Sequence, residues 1–326
     1  MNKNIKLIIN YLLGPLLFAL LTWSLYKQII HQPDVEQRWK QIRISWQDYR
    51  FWIVFILMFL NWGIEAKKWQ LLIAPLEKFS LLRSFKAILA GCSITMLTPN
   101  RIGEYGGRIM YVSEPIRLRA ISLTILGSIS QLSVTMIMGT VALAILQSLH
   151  IVTPADNGIL SWLLSAPLFY TSVAFTVILL LLYFRVHFLV SVISRIKVPQ
   201  KLMNHIAVLD IFTGKQLLRI LFLSFFRYMV FILQYVLLLK VMDVNISITI
   251  SFLLLSVFYL VMVVAPTVGF TELPVRATAT VMLFGLFSTN ILGIQAAAFG
   301  IWLINLVLPA IMGSLLIFGI KILKDR

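Results

Sequence analysis

Apolar runs of about 18 residues or more recur along the whole chain, and each is long enough to cross roughly 30 Å of hydrocarbon as a helix. No water satisfies backbone N–H and C=O groups in a bilayer core. A spanning segment is therefore a helix, bonded to itself, or a strand of a closed barrel. Barrel strands are short and alternate apolar with polar positions, whereas these runs are continuously apolar. The chain is expected to be an all-α, polytopic integral membrane protein with one transmembrane domain over residues 1–326. Composition agrees: 60% of residues are hydrophobic, 12% are charged and the mean hydropathy is +0.93. A soluble domain carries roughly 25% charged residues, so a soluble enzyme is excluded.

Full crossings are expected near residues 7–27, 51–73, 120–148, 160–184, 217–240 and 295–320. Two further regions bring the apolar segments to eight. Residues 81–112 are interrupted by Thr98-Pro99-Asn100-Arg101-Ile102-Gly103-Glu104, and residues 248–287 by Ala265-Pro266-Thr267-Val268-Gly269-Phe270-Thr271-Glu272. Proline and glycine within a few residues end a helix and permit a tight reversal. Each region is thus expected to be a re-entrant helical hairpin, turning at Pro99 and Gly103 or at Pro266 and Gly269. The arm after the first turn has about 9 to 12 residues, or roughly 14–18 Å of helix, too short to span. Gly103, Gly106, Gly107 and Gly269 are expected to let backbones approach closely. The N-terminal apolar run, Leu7 to about Tyr26, is longer than a signal-peptide core and lacks a small-x-small cleavage site, so it is expected to remain as a span.

Lys and Arg orient the chain. With the N-terminus in the cytoplasm, the cytoplasmic segments 66–86, 113–119, 185–216 and the C-terminal tail are all basic, whereas outer loops 149–159 and 288–294 carry no Lys or Arg. The expected location is the inner (cytoplasmic) membrane, with both termini cytoplasmic. Segment 28–50 departs from the pattern, with Arg38, Lys40, Arg43 and Arg50 outside. Interleaving with Trp39, Trp46 and Tyr49 suggests a helix in the outer headgroup layer. Segment 185–216 is expected to be interfacial too. The net charge of +16 thus points to anionic lipid headgroups and not to nucleic acid.

The two interrupted regions share an order: apolar arm, proline, glycine, glutamate, then arginine four residues on, giving Glu104 with Arg108 and Glu272 with Arg276. Three crossings separate them, and an odd number inverts the second relative to the first. Inverted repeats of roughly 51–148 and 217–320, with broken helices meeting near the midplane, are a plan of secondary transporters. An ionisable group at that depth costs at least about 2.5–3.5 kcal/mol, so these side chains are either paired or useful. As a site, Arg101, Arg108 and Arg276 would hold a phosphate, while Glu104 and Glu272 would receive a cationic group or a proton. As structure, each Glu–Arg pair would tie an arm together, and the two readings are compatible.

Other polar residues carry blander expectations. Glu65 is expected to form an interfacial pair with Lys68. Asn61, Gln131, Gln234 and Asn305 are expected to form interhelical hydrogen bonds. Cys92, the single cysteine, reads as a small core residue, and the histidines at 31, 150, 187 and 205 are too scattered to bind a metal. No catalytic residue, metal site or cofactor is expected.

The run Lys68-Trp69-Gln70-Leu71-Leu72, the Pro99-Asn100-Arg101-Ile102-Gly103-Glu104 core with Arg108, and the later Pro266 to Glu272 segment together resemble the lysylphosphatidylglycerol synthase transmembrane-region family of flippase-like proteins. The resemblance covers nearly the whole chain. In bifunctional members such a region is coupled to a cytosolic aminoacyl-transferase domain and translocates the aminoacylated lipid. Because this chain stops at Arg326, just after its last span, the resemblance implies a stand-alone flippase-like half and leaves the lipid open. One departure is Val268, where the first hairpin carries Arg101. The resulting expectation is a phospholipid or glycolipid transporter, with a separately encoded lipid-modifying enzyme and homo-oligomerisation as candidate partnerships. Two alternatives remain. An intramembrane transferase lacks support from any Asp-x-Asp pair, His-Asp cluster or phosphate loop. A scaffold recruiting a synthase would depend on segment 185–216.

Overall fold

The computed structural model describes residues 35–96, 98, 102–149, 165–195, 199–264 and 272–324, together with Trp23. All regular structure among them is helical. In chain order the helices are α1 (Val35–Ile44), α2 (Tyr49–Ile73), α3 (Leu81–Thr95), α4 (Gly103–Ile109), α5 (Arg117–Ser148), α6 (Ala166–Phe184), α7 (Val186–Arg195), α8 (Gln200–Ile206), α9 (Gly214–Val241), α10 (Ile248–Val264), α11 (Glu272–Phe284), α12 (Ile291–Trp302) and α13 (Leu308–Lys324). Five helical segments are long and apolar enough to cross a membrane: Tyr49–Ile73, Glu114–Ser148, Ala166–Phe184, Gly214–Val241 and Ile291–Ile317. They match five of the expected crossings. The sixth, near 7–27, lies outside the described residues, as does the loop at 150–164.

The helices start where side chains can satisfy their first N–H groups. The Asp48 carboxylate accepts from the Arg50 amide at 2.8 Å and grips the Arg50 guanidinium at 2.6 Å, opening α2. Ser80 accepts from the Arg83 amide at 3.1 Å to open α3, and Thr213 with Gln216 forms a capping box before α9.

Helices α2 and α9 pack antiparallel at the centre. The Val54 carbonyl accepts from Gln234, Asn61 meets Arg227 and Lys68 reaches Ser224, so partner numbers fall along α9 as they rise along α2. The loop after α2 therefore lies at the same end as the start of α9. Glu77 binds Ser113 and Arg83 donates to the Tyr111 carbonyl at 3.1 Å, which puts both ends of the α3–α4 pair there as well. At the opposite end, Asn290, which caps the start of α12, donates to the Met242 and Asp243 carbonyls at 2.9 and 3.1 Å, tying the loop after α11 to the end of α9 that leads into α10. The two interrupted elements thus enter the bundle from opposite ends.

Within the first element, a Cβ on Gly103 would overlap the Ile94 carbonyl and one on Gly107 the Ala90 carbonyl. Partners that fall as positions rise define an antiparallel helical hairpin in backbone contact. Gly106, by contrast, faces open space, so the expected close approach does not extend to it. The second arm has 7 residues, fewer than expected, because the Thr98 hydroxyl already captures the Gly103 amide at 2.7 Å and α4 ends at Ile109. The segment joining α10 and α11, including Pro266 and Gly269, lies outside the described residues, as do Pro99 and Arg101.

Segment 28–50 contains α1 and a short 3-10 turn, with α1 resting on α12. Trp39, Trp46, Tyr49 and Trp52 are exposed there, and the Trp52 indole donates to the Trp46 carbonyl at 2.8 Å. Such a cluster suits a membrane–water boundary. Segment 185–216 folds as α7, α8 and a 3-10 turn over Ala207–Ile211, where His187 contacts Asp210. Along the spans, Ile56, Phe59, Phe175, Ile178, Leu181, Phe222 and Phe226 face outward, the apolar exterior that hydrocarbon requires. Cys92 is buried.

Candidate functional site

Glu65 is the hub of a buried charge cluster. Its helix continues two turns beyond it to Ile73, so Glu65 and Lys68 sit inside the bundle and not at the rim expected from the neighbouring Lys67 and Trp69. Their side chains are 3% and 1% exposed and pair at 2.7 Å. Lys68 also contacts Gly127 and Ser224. Each of those lies ten residues into its helix, about 15 Å from that helix's first residue.

Arg108 and Arg227 complete the cluster. Arg108, 2% exposed, pairs with Glu65 at 2.8 Å and with Glu104 one helical turn back. Arg227 from α9 reaches the other Glu65 oxygen at 3.0 Å and also donates to Asn61 at 3.2 Å and Gln131 at 3.4 Å. Its guanidinium lies 5.1 Å from the Trp62 ring centroid, as that of Arg108 lies 5.4 Å from Trp69. Removing one member of such a cluster strands the others, a loss of about 3–5 kcal/mol for a buried pair. The expected tie between Glu104 and Arg108 is present, but Arg108 also reaches α2 and joins the hairpin to the central helix pair.

The polar residues of the spans extend the cluster. Asn61 donates to Asn305 at 3.2 Å, Gln234 to the Val54 carbonyl at 2.9 Å, and Gln131 to the Ser224 carbonyl at 3.4 Å, interhelical bonds of the expected kind. Asn305 lies in a π-helical turn, Leu303–Val307, that interrupts the last span. A π-bulge re-aims side chains and recurs at functional sites.

These groups surround a cavity of about 660 Å³. Its charged wall comprises Glu65, Lys68, Glu104, Arg227 and Arg276, and its aromatic wall includes Trp62, Tyr105, Tyr228, Phe231, Tyr259 and Trp302. Glu104 comes from the first interrupted element and Arg276 from the second, so the structure brings the two elements to one chamber. Arg108 stands behind this wall, against both carboxylates. Glu272 is the first residue of α11, with its side chain outside the described part. Sequence reasoning passed over Arg227, although an arginine near the middle of the apolar run 217–240 is itself the signal of an intramembrane ionisable residue. Among the described residues, no three His, Cys, Asp or Glu side chains converge as a metal site needs.

Five apolar spans, shorter apolar helices and a charged chamber between them define a polytopic helical membrane protein with an internal polar cavity. The chain belongs to the family described as the lysylphosphatidylglycerol synthase TM region, which matches residues 11–313. No curated protein and no solved structure matches it.

Proposed function

We propose that this chain is a lipid transporter that moves a phospholipid or glycolipid headgroup across the inner membrane through the central cavity. The observation that carries the reading is a chamber with charged walls drawn from both interrupted elements, Glu104 on one side and Arg276 on the other. In this reading the α3–α4 and α10–α11 elements are re-entrant hairpins of an inverted repeat, and relative motion between them alternates access to the two leaflets. The acyl chains stay in hydrocarbon along the apolar exterior while the headgroup takes the polar path. Both termini are cytoplasmic, and the chain is a carrier without chemistry or cofactor of its own. Any lipid modification falls to a separately encoded enzyme.

Translocation of a headgroup-labelled phospholipid in proteoliposomes tests this. Glu104→Gln and Arg276→Gln are each expected to reduce the rate at least tenfold while the protein remains monodisperse in detergent. Rates equal to wild type in both variants would overturn the proposal.

A further inference from the structure

The last span changes partners partway along its length. Its first part, α12, packs on α11 and α9, whereas α13 packs on α3. The π-helical turn Leu303–Val307 marks the change, and there the Leu308 amide bonds the Leu303 carbonyl five residues back. Pro309 follows, with no N–H to give the Asn305 carbonyl four residues before it, so a regular α-helix cannot continue through this point. By contrast, α10 of the second interrupted element packs on α5, which runs unbroken for 32 residues. On the α3 side the contacts are made by backbone: a Cβ on Gly313 would overlap the Leu89 carbonyl, as those on Gly103 and Gly107 would overlap Ile94 and Ala90. Helices packed this closely leave little room to slide, so α3, α4 and α13 form one block. Among the described residues, that block joins the rest of the chain through loops 74–80 and 110–116 and the π-helical turn. It also packs on α2 through α3, but no glycine brings those two backbones together.

We propose that this block, the α3–α4 hairpin with α13, swings against α2 and α9 about the π-helical turn, with the Arg108–Glu65 pair as the latch between them. This deepens the carrier reading, on which it rests, by naming the part that moves. The charge cluster is divided along the same boundary. Arg108 keeps Glu104 on its own helix when it leaves Glu65, and Glu65 keeps Lys68 at 2.7 Å and Arg227 at 3.0 Å. Opening the latch therefore strands no buried charge, the cost that would otherwise forbid it. Asn61 of α2 donates to Asn305 at 3.2 Å, and this bond holds the pivot on the central helix pair while α13 turns beyond it. Both sides of the boundary face the cavity, Glu104 and Tyr105 from the block and Glu65, Lys68 and Arg227 from the central pair, so the swing reshapes the chamber.

Distances between pairs of nitroxide labels, measured by pulsed electron paramagnetic resonance in lipid nanodiscs, test this without a transport assay. Leu82, Phe222 and Leu315 are exposed and suit labelled cysteines. Leu82→Cys with Leu315→Cys lies within the block and is expected to give one distance. Leu315→Cys with Phe222→Cys crosses the boundary and is expected to give two. Two distances within the block, or one across the boundary, overturn the proposal. Pro309→Ala, which restores the missing N–H donor, is expected to stiffen the pivot and remove the second distance across the boundary. Two distances in unchanged proportion would put the pivot elsewhere and also overturn it. Glu104→Gln leaves Arg108 no partner inside the block, so opening would strand it. The latched population, whose distance matches this structure, is then expected to rise by about threefold or more relative to the open one. An unchanged ratio overturns the latch. These readings need no cargo, so absence of lipid translocation with both distances present sinks the carrier and not the hinge.

Discussion

Glu65 illustrates how one residue changes meaning with depth. In the sequence it precedes Lys67, Lys68 and Trp69, the composition of a helix end in headgroups, yet its helix runs on to Ile73 and makes it the common partner of three cations. The pairing with Lys68 was legible from spacing alone, because residues three apart share a helix face. Arg108 and Arg227 come from distant positions that no local pattern links to Glu65. Glu77 belongs at the same scale. Burial works against its ionised form, but bonds from the Ser113 amide and hydroxyl and the Arg83 guanidinium outweigh it and hold its pKa below the ordinary carboxylate value. A lowered folded pKa contributes stability that is present above about pH 4.3, the usual value for Glu, and is lost as pH falls through the folded pKa. Wild type is therefore expected to exceed Glu77→Gln in stability by about 1 kcal/mol at pH 7, with the gap closing below about pH 4.3. Thermal unfolding in detergent across that range checks it, and a gap independent of pH would contradict the assignment.

The α3–α4 hairpin is where an element rests on backbone contact. Proline and glycine predicted a reversal near residue 99, which lies outside the described residues, and the helices on either side of it pack antiparallel. Which glycines matter was not legible, because a helix face acquires meaning only from what is packed on it. Gly103 and Gly107 face Ile94 and Ala90 across the hairpin, while Gly106 faces open space. Gly103→Ala and Gly107→Ala are expected to lower stability by about 2 kcal/mol or more, since backbone carbonyls cannot move aside as a flexible side chain does. Gly106→Ala is expected to be neutral or to stabilise by up to about 1 kcal/mol through helix propensity. Melting temperatures of the three variants decide it, and equal losses would contradict the register. The π-helical turn at Leu303–Val307 is a second feature of this scale that hydropathy does not register. It leaves the apolar run intact and changes the direction in which Asn305 points.

At the scale of the molecule, the contacts place loops 74–80 and 110–116 at one end and loops 242–247 and 285–290 at the other. The first pair of loops carries Lys78 and the second no Lys or Arg, and on the positive-inside rule we propose that the first pair is cytoplasmic. Cys92 is buried, which leaves a quiet background for labelling. In intact cells, an impermeant maleimide is expected to modify Asn245→Cys and spare Lys78→Cys, both at exposed positions. The reverse pattern would invert the topology. The family and the described spans were readable from sequence, because continuous apolar runs in a bilayer admit one backbone solution and the Pro-x-Arg-x-Gly-Glu core is local. The chamber was not readable to the same degree. Its charges come from α2, α4, α9 and α11, and Coulomb interactions act through space without regard to separation along the chain. Only the antiparallel packing of α2 on α9 decided that Glu65, Arg108 and Arg227 meet, and only the entry of two broken elements from opposite ends decided that Glu104 and Arg276 share one wall.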